Sequence, residues 1–467
     1  MTDYTPFKNT KLSNLTALDL NDLSQVREGW YVEYKEKIPN SKSIAKSVSS
    51  FANTYGGWIF YGIKERSGAD NSAECCPGIN HEQLDESIQT IRQSISAHLN
   101  PLPHFEIKIL TGPNSEMGLS EICSVICIHV PMSFSTPHIH SNGCIFRRVA
   151  DSSEPKSETD RHQLDNLWER GEKVNQKYED WVKRHPELTE GDVEIPYLRI
   201  LLDADLRSVE GASWRFSSKE ISTILNEPDS GPYAPVDSCY RSNRGLIARQ
   251  TSSLSKHSQF GLTWIIGPGL KSEIWIPLNL YYTHGDLPYI VGFEKYENTT
   301  EFYELLRSSR VTDGKILDLN QIWQTLISIM NRYIQLLEKN NTPKNKIFAK
   351  TVISGVRQCI PFLDSSTILC NIKTQGLPFC IYDEVITPFG YHPDTFHEII
   401  NIFDDEGFEK YLFPTLMVME LVCAGLGVPG FFEEPGSQDL ATLLRELSEA
   451  GERAVGRKAA QNKELGS

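Results

Sequence analysis

The sequence predicts an α+β protein of several domains, on three observations. A chain of 467 residues holds more than one hydrophobic core, roughly two to four domains' worth. Between residues 20 and 160, strand and helix periodicities follow one another in the order β-α-β-α-β-β-β. Beyond residue 185 the pattern changes twice, which divides the chain at 1–185, 186–285 and 286–467.

The first strand is Tyr31–Lys35. Alternation puts Glu33 and Lys35 on one face and Val32 and Tyr34 on the other. Ser41 is placed to cap the next helix, whose apolar stripe is Ile44, Val48, Phe51, Ala52 and Tyr55. Lys42 and Lys46 fall off that stripe and face solvent. Gly56-Gly57 ends the helix, and Trp58–Ile63 reads as a central strand. A short helix carrying Leu15, Leu18 and Leu23 precedes all of this. A second long helix covers 81–98, with Leu84, Ile88, Ile91 and Ile95 on one face, and Pro101 and Pro103 follow it. Strands are expected at Phe105–Leu110, Ile122–Val130 and Cys144–Val149. The last carries the adjacent Arg147 and Arg148. Residues 151–185 read as a charged connector helix.

The middle segment reads as winged-helix-like. Helices are expected at Pro196–Leu206, from Ser217 to Leu225 and at Val236–Gln250, then a hairpin at Leu262–Ile266 and Ile274–Leu278. From Ser238 to Ser272 there is no acidic residue, while Arg241, Arg244, Arg249, Lys256 and Lys271 are present. Such a local basic run suits phosphate contact. The final segment reads as a mixed α/β domain. It has helices near Thr300–Ser308, Leu319–Glu338 and Pro414–Ala424, strands at Ser366–Ile372 and Pro378–Tyr382, and an amphipathic helix after Pro435. His392, Asp394 and His397 read as structural loop residues, and Asp404-Asp405-Glu406 as a solvated turn.

Composition narrows the function classes. A net charge of −15 argues against a protein that coats nucleic acid, so any nucleic-acid site must be a local patch. No uncharged apolar run reaches the roughly 18 residues of a membrane span, and Met1–Leu20 lacks the apolar core of a signal peptide. The 10 cysteines show no paired C-x-x-C spacing, which argues against a zinc site or a disulfide framework and for a reducing cytoplasm. There is no G-x-x-x-x-G-K-[ST] loop for ATP.

The chemistry centres on Glu28, Glu33, Glu65 and Lys35. Three carboxylates converging near a lysine can hold one or two Mg²⁺ or Mn²⁺ ions. Such ions polarise a phosphodiester and activate a water, and the lysine stabilises the charge that develops. Glu28 lies 5 residues before Glu33, the wrong parity for one regular strand, so it must reach the site from the preceding loop.

Four segments together resemble the Schlafen-type domain, also known in bacteria as a divergent AlbA-type DNA-binding domain. They are E-G-W-Y-V-E-Y-K, S-F-A-N-T-Y-G-G-W-I-F-Y-G-I, P-G-I and G-C-I-F-R-R-V-A-D-S-S. The resemblance covers residues 20–160, about a third of the chain. It implies a Schlafen-like α/β lobe that cleaves tRNA or other structured RNA with a divalent metal. The family's first two acids fall on Glu28 and Glu33. Its third, usually an aspartate, falls on Glu65 in G-I-K-E, with Lys64 where a neighbouring acid is common.

The resulting expectation is a cytoplasmic, metal-dependent endoribonuclease, with Glu28, Glu33 and Glu65 as ligands of Mg²⁺ or Mn²⁺ and Lys35 at the scissile phosphate. Arg147 or Arg148, then Lys42, Lys46, Arg241, Arg244 and Arg249, are candidates for nucleic-acid contact. The resemblance adds a role in anti-phage defence and a homodimer that completes the groove. The rival class is a DNA- or RNA-binding regulator without catalysis, using the basic 238–272 segment.

Overall fold

The computed structural model describes residues 4–8, 12–67, 70–149, 152–185, 195–204, 206, 216–227, 236–250, 261–283, 290–340, 342, 346–400, 409–429 and 440–454. Lys256, the acidic stretch 187–194 and Asp404-Asp405-Glu406 lie outside them. The chain divides into two compact units, Met1–Lys177 and Tyr178–Ser467.

In chain order the first unit contains β1 (Val32–Lys35), α1 (Ser41–Asn53), β2 (Gly57–Tyr61), β3 (Lys64–Glu65), β4 (Ala73–Cys75), β5 (Ile79–Asn80) and α2 (His81–His98). Then come β6 (Leu99–Asn100), β7 (Glu106–Thr111), β8 (Cys123–Val130), β9 (Ile139–His140), β10 (Phe146–Val149), β11 (Ser152–Ser157) and α3 (Arg161–Lys183), which runs on into the second unit. The central sheet has the order β1-β2-β8-β5, with β7 also on β8. β1 and β2 are parallel, and β2 and β8 antiparallel.

Strand alternation explains why β2 is apolar throughout. Trp58 and Phe60 enter one core with Val32, Tyr34, Leu20 and Leu23, while Ile59 and Tyr61 enter the other with Ile44, Val48, Phe51 and Ile91. The sheet is therefore covered on both faces. Leu18 stays exposed, because a 3₁₀ helix at Ala17–Gln25 turns Ala17, Leu20 and Leu23 inward. Helix α1 is capped by Asn40, whose side chain accepts from the Ser43 amide at 3.0 Å, one residue earlier than the serine reading. At Gly56 φ is +75°, and a Cβ there would lie 2.6 Å from the Met132 amide nitrogen. Only glycine lets this turn pass so close to backbone.

The second unit contains β12 (Tyr197–Asp203), α4 (Ser218–Leu225), β13 (Ser238–Ser242), β14 (Gly245–Arg249), β15 (Thr263–Ile266), β16 (Ser272–Pro277), β17 (Asn279–Tyr282), α5 (Thr299–Ser308), β18 (Lys315–Asp318) and α6 (Asn320–Lys339). It continues with β19 (Lys346–Ser354), β20 (Cys359–Phe362), α7 (Ser366–Gln375), β21 (Glu384–Thr387), β22 (His397–Ile400), α8 (Glu409–Leu426) and α9 (Leu440–Ala454). An eight-stranded sheet of order β13-β14-β15-β16-β12-β19-β21, with β22 also on β19, draws strands from both sides of residue 286. One face packs on a large core with α4, α6 and α8.

The winged-helix expectation is not met. Among the described residues of 186–285, α4 is the only α-helix. Tyr197–Asp203 is a strand because both faces are buried: Leu198, Ile200 and Leu202 enter the core, while Arg199 on the other face pairs with Glu273 at 3.0 Å. The expected helix over 236–250 is the β13–β14 hairpin, turned at Asn243-Arg244 before Gly245 at φ +128°. The hairpin of β15 and β16 forms as expected. Ser366–Ile372 is helical rather than extended, since Ser365 caps α7 by accepting from the Ile368 amide at 3.2 Å, and no strand covers Pro378–Tyr382. Among the described residues no helix is long and apolar enough to cross a membrane.

Candidate functional site

β1 is an edge strand, so one side of its backbone has no neighbouring strand to pair with. The loop before it supplies the partner. The Glu28 amide donates to Asn71 O at 2.9 Å and the Gly29 amide to Val32 O at 3.0 Å, which folds Glu28 back along the strand. Its Oε1 accepts from the Tyr34 amide at 3.3 Å and from Lys35 Nζ at 3.4 Å. The parity problem is thus solved by the loop.

Glu33 points from β1 toward α1. Its Oε1 accepts from Ser47 Oγ at 2.8 Å and lies 3.6 Å from Lys35 Nζ. Its Oε2 lies 2.9 Å from Arg148 Nη1. Arg148 is fully buried, its Nε and Nη2 donate to Gly29 O at 3.0 and 2.5 Å, and its guanidinium lies 4.7 Å from the Phe51 ring centre. Arg148 therefore neutralises Glu33 inside the domain. Ser47 carried no motif signal, because a serine on the polar side of a helix reads as solvated.

Glu65 arrives from β3 and its residue is exposed. It hydrogen-bonds the Glu28 carboxyl. Burial, then the bond to Glu65, push the Glu28 carboxyl up to about 8, against the opposing pull of Lys35. Burial works against the charge on Lys35, yet Glu33, Glu28 and Glu65 together outweigh it and hold the ammonium above its ordinary range. All four predicted residues are thus one electrostatic cluster, and Glu65 and Lys35, the latter with its side chain 40% exposed, are the members that reach solvent.

The donor set fits a lightly held ion better than a three-carboxylate cage. Glu33 has both oxygens engaged, and among the described residues no three His, Cys, Asp or Glu side chains are grouped to hold a metal. Glu28 and Glu65, however, lie close enough for Glu65 to raise the Glu28 pKa, and a cation placed between them would relieve that crowding. Mg²⁺ commonly takes one or two carboxylates and fills its remaining positions with water and substrate phosphate.

The remaining predicted contacts are scattered. Arg147 Nη1 donates to Glu158 at 2.6 Å and to Gln163 at 2.9 Å, and its side chain is mostly buried. Lys42 is exposed, and Lys46, expected in solvent, lies half-buried over the Phe146 ring at 5.4 Å. In the second unit Arg241 and Arg244 are exposed on the edge hairpin, whereas Arg249 is half-buried. Lys271 turns onto Tyr178 and Trp181 and lies 3.4 Å from Asp203. His392 Nδ1 pairs locally with Asp394 at 3.2 Å, as a structural loop residue would.

Residues 28–157 match the family model described as Schlafen, AlbA_2. This stretch is a Schlafen-like, AlbA-type domain. The family includes nucleic-acid-binding and nuclease-like members. The matched stretch of the Schlafen-like domain takes in Glu28, Glu33, Lys35, Glu65, Arg147 and Arg148. No curated protein matches the chain. Among solved structures, the DIP2311 protein from Corynebacterium diphtheriae is similar at 14% identity over 42% of this chain, with a TM-score of 0.19, and the match spans 29% of that protein.

Proposed function

We propose that the Schlafen-like domain is a divalent-metal-dependent endoribonuclease acting on tRNA or other structured RNA. The observation that supports it is the cluster on the edge of β1, where Lys35 feels all three of Glu28, Glu33 and Glu65. Glu28 and Glu65 would hold Mg²⁺ or Mn²⁺ between them, and the ion, when bound, would supply a polarised phosphodiester and a water of lowered pKa. Glu33 anchors the cluster: Ser47 and Arg148 fix its carboxylate, and that carboxylate in turn orients Lys35. Lys35 extends its ammonium to solvent, where it can meet a phosphate oxygen and stabilise the charge that gathers there. A homodimer that completes the RNA groove and a role in anti-phage defence extend this reading.

The exposed Arg241 and Arg244 favour a second reading, a nucleic-acid-binding regulator that does not cut. Incubating the protein with tRNA and with single- and double-stranded DNA, in Mn²⁺, Mg²⁺ or EDTA, separates the two. The nuclease reading expects RNA cleavage that EDTA and Glu65→Gln abolish. Binding without cleavage under every condition, lost in Arg241→Ala with Arg244→Ala, would establish the regulator instead.

A further inference from the structure

Next to the acid cluster, the first unit carries four aromatic rings in a connected row. Tyr4 stacks on Tyr31 with centroids 4.6 Å apart, Tyr31 lies 6.3 Å from Tyr55, and Tyr55 lies 5.6 Å from Trp30. Periodicity assigns Tyr55 to the buried stripe of α1, but it sits beyond the end of that helix and is 43% exposed. Tyr4 is 38% exposed, and Trp30 and Tyr31 are half-buried. Tyr31 also packs against the core, whereas Tyr4 and Tyr55 leave apolar ring surface in contact with water.

Two cations accompany the row. Arg170 of α3 donates from Nη1 to Asn53 O at 3.4 Å and to Thr54 O at 3.3 Å, the two residues before Tyr55. Among the described residues it has no carboxylate partner. Burial and the nearby Arg147 both work against its charge. Arg147 Nε is itself buried without a hydrogen-bond partner. Two neighbouring guanidiniums, one lacking a counter-ion, favour an incoming anion.

The row is tied to the acids through one side chain. Arg148 joins the Glu33 carboxylate at 2.9 Å to the Gly29 carbonyl at 2.5 Å, and Trp30 is the next residue. A single guanidinium thus separates the acid cluster from the backbone that carries Trp30.

We propose that Trp30, Tyr31 and Tyr55 form a stacking platform for an unpaired base, and that Arg170 takes the phosphate attached to it. The domain would then engage single-stranded nucleotides, such as a loop or overhang of a structured RNA, beside Glu33 and Lys35. Base stacking on aromatic side chains tolerates any sequence and requires the base to be out of its duplex. The choice of RNA rests on the nuclease reading, whereas the platform itself does not.

The test measures binding by the full-length protein in EDTA, where a metal-dependent nuclease is silent. Its probes are a fluorescent single-stranded RNA, the matching single-stranded DNA and a blunt RNA duplex, and a 2-aminopurine base in the single strands reports stacking. The expected result is single strands bound several-fold tighter than the duplex, with the 2-aminopurine quenched. Tyr55→Ala should weaken single-strand binding roughly 5- to 100-fold, the loss of about one stacked base, while Tyr55→Phe retains it. Arg170→Gln should lower the salt dependence of binding by about one counter-ion. Arg170→Gln and Trp30→Leu keep the test decisive if Tyr55→Ala melts early. Equal binding of RNA and DNA single strands supports a platform that ignores the 2′-hydroxyl. Duplex bound as tightly as single strands, or Tyr55→Ala and Arg170→Gln both binding as the natural protein does, overturns the platform. Stacking without any cleavage in Mn²⁺ upholds the platform and refutes the nuclease reading. Cleavage with unchanged binding in the platform variants does the reverse.

Discussion

The Glu33–Arg148 pair yields the sharpest quantitative expectation. Arg148→Met removes a fully buried guanidinium that bonds Glu33 at 2.9 Å and Gly29 O at 2.5 Å and packs on Phe51. What remains is a carboxylate 3% exposed, with Ser47 at 2.8 Å and Lys35 at 3.6 Å as its partners. Breaking a buried ion pair from one side costs about 3–5 kcal/mol, because the surviving charge stays buried. Lys35 remains in reach, so the lower end, about 3 kcal/mol, is expected for the first unit. Glu33→Gln removes the stranded charge, so the double substitution should cost less than the sum of the singles by about 1.5 kcal/mol or more. Hydrogen exchange of peptides from α1 and β2 in a urea series reads this unit apart from the second. A cost for Arg148→Met below about 1 kcal/mol, or strict additivity in the double variant, would falsify the claim that this pair anchors the cluster.

Two further expectations concern buried titratable groups. His138 is buried, its Nδ1 2.7 Å from Pro101 O, and burial pulls its pKa down to about 4. A depressed imidazole means that the unfolded chain binds the extra proton between pH 6.5 and about 4. The first unit should therefore lose stability as pH falls through that window, on the order of 3 kcal/mol, and His138→Gln should flatten the loss in acid melts. A melt equally acid-sensitive in His138→Gln would remove this histidine from the account. In the second unit Lys350 is buried on β19, its Nζ held by the carbonyls of Pro388 and Gly390 and lying 5.3 Å from the Phe396 ring centre. Burial brings its pKa down to about 8, so its neutral form is favoured in the fold and stability should rise as pH climbs from about 8 toward 10.5. Lys350→Met should raise stability at pH 7 by on the order of 1 kcal/mol and abolish that alkaline rise. A variant less stable than the natural protein at both pH values would mean that the two carbonyl bonds outweigh the buried charge.

The first unit was legible where a single rule governs a residue. Alternation in β1 put Glu33 and Lys35 together, the periodicity of α2 gave 81–98, and Gly56 marked a turn that needs positive φ. The second unit was less legible because its strands bury charge. Arg199, Asp203, Glu273 and Lys350 share the sheet's second face, and a pattern such as Y-L-R-I-L-L-D then resembles an amphipathic helix. The partner that makes Arg199 acceptable in a strand, Glu273, lies 74 residues away and carries no local signature. The same holds for the hairpin at Asn243-Arg244, where the turn signal sits inside a run otherwise compatible with a helix.

The site divides along the same line. Which residues take part could be read from short spacings, but their roles depend on contacts distant in sequence. Arg147 and Arg148 show this most clearly. Alternation requires that they face opposite ways, yet nothing local says which of them turns inward. The structure decides it through Thr54, whose Oγ1 accepts from the Arg148 amide at 3.0 Å and fixes β10 against the end of α1. Arg148 then meets Glu33, and Arg147 is left facing Glu158, Gln163 and the neighbourhood of Arg170. A threonine at the end of one helix thus assigns one arginine to the acid cluster and the other to the cationic side of the aromatic row. Thr54→Val, which keeps the shape and removes the acceptor, should therefore disturb the cluster and the row together, although Thr54 belongs to neither.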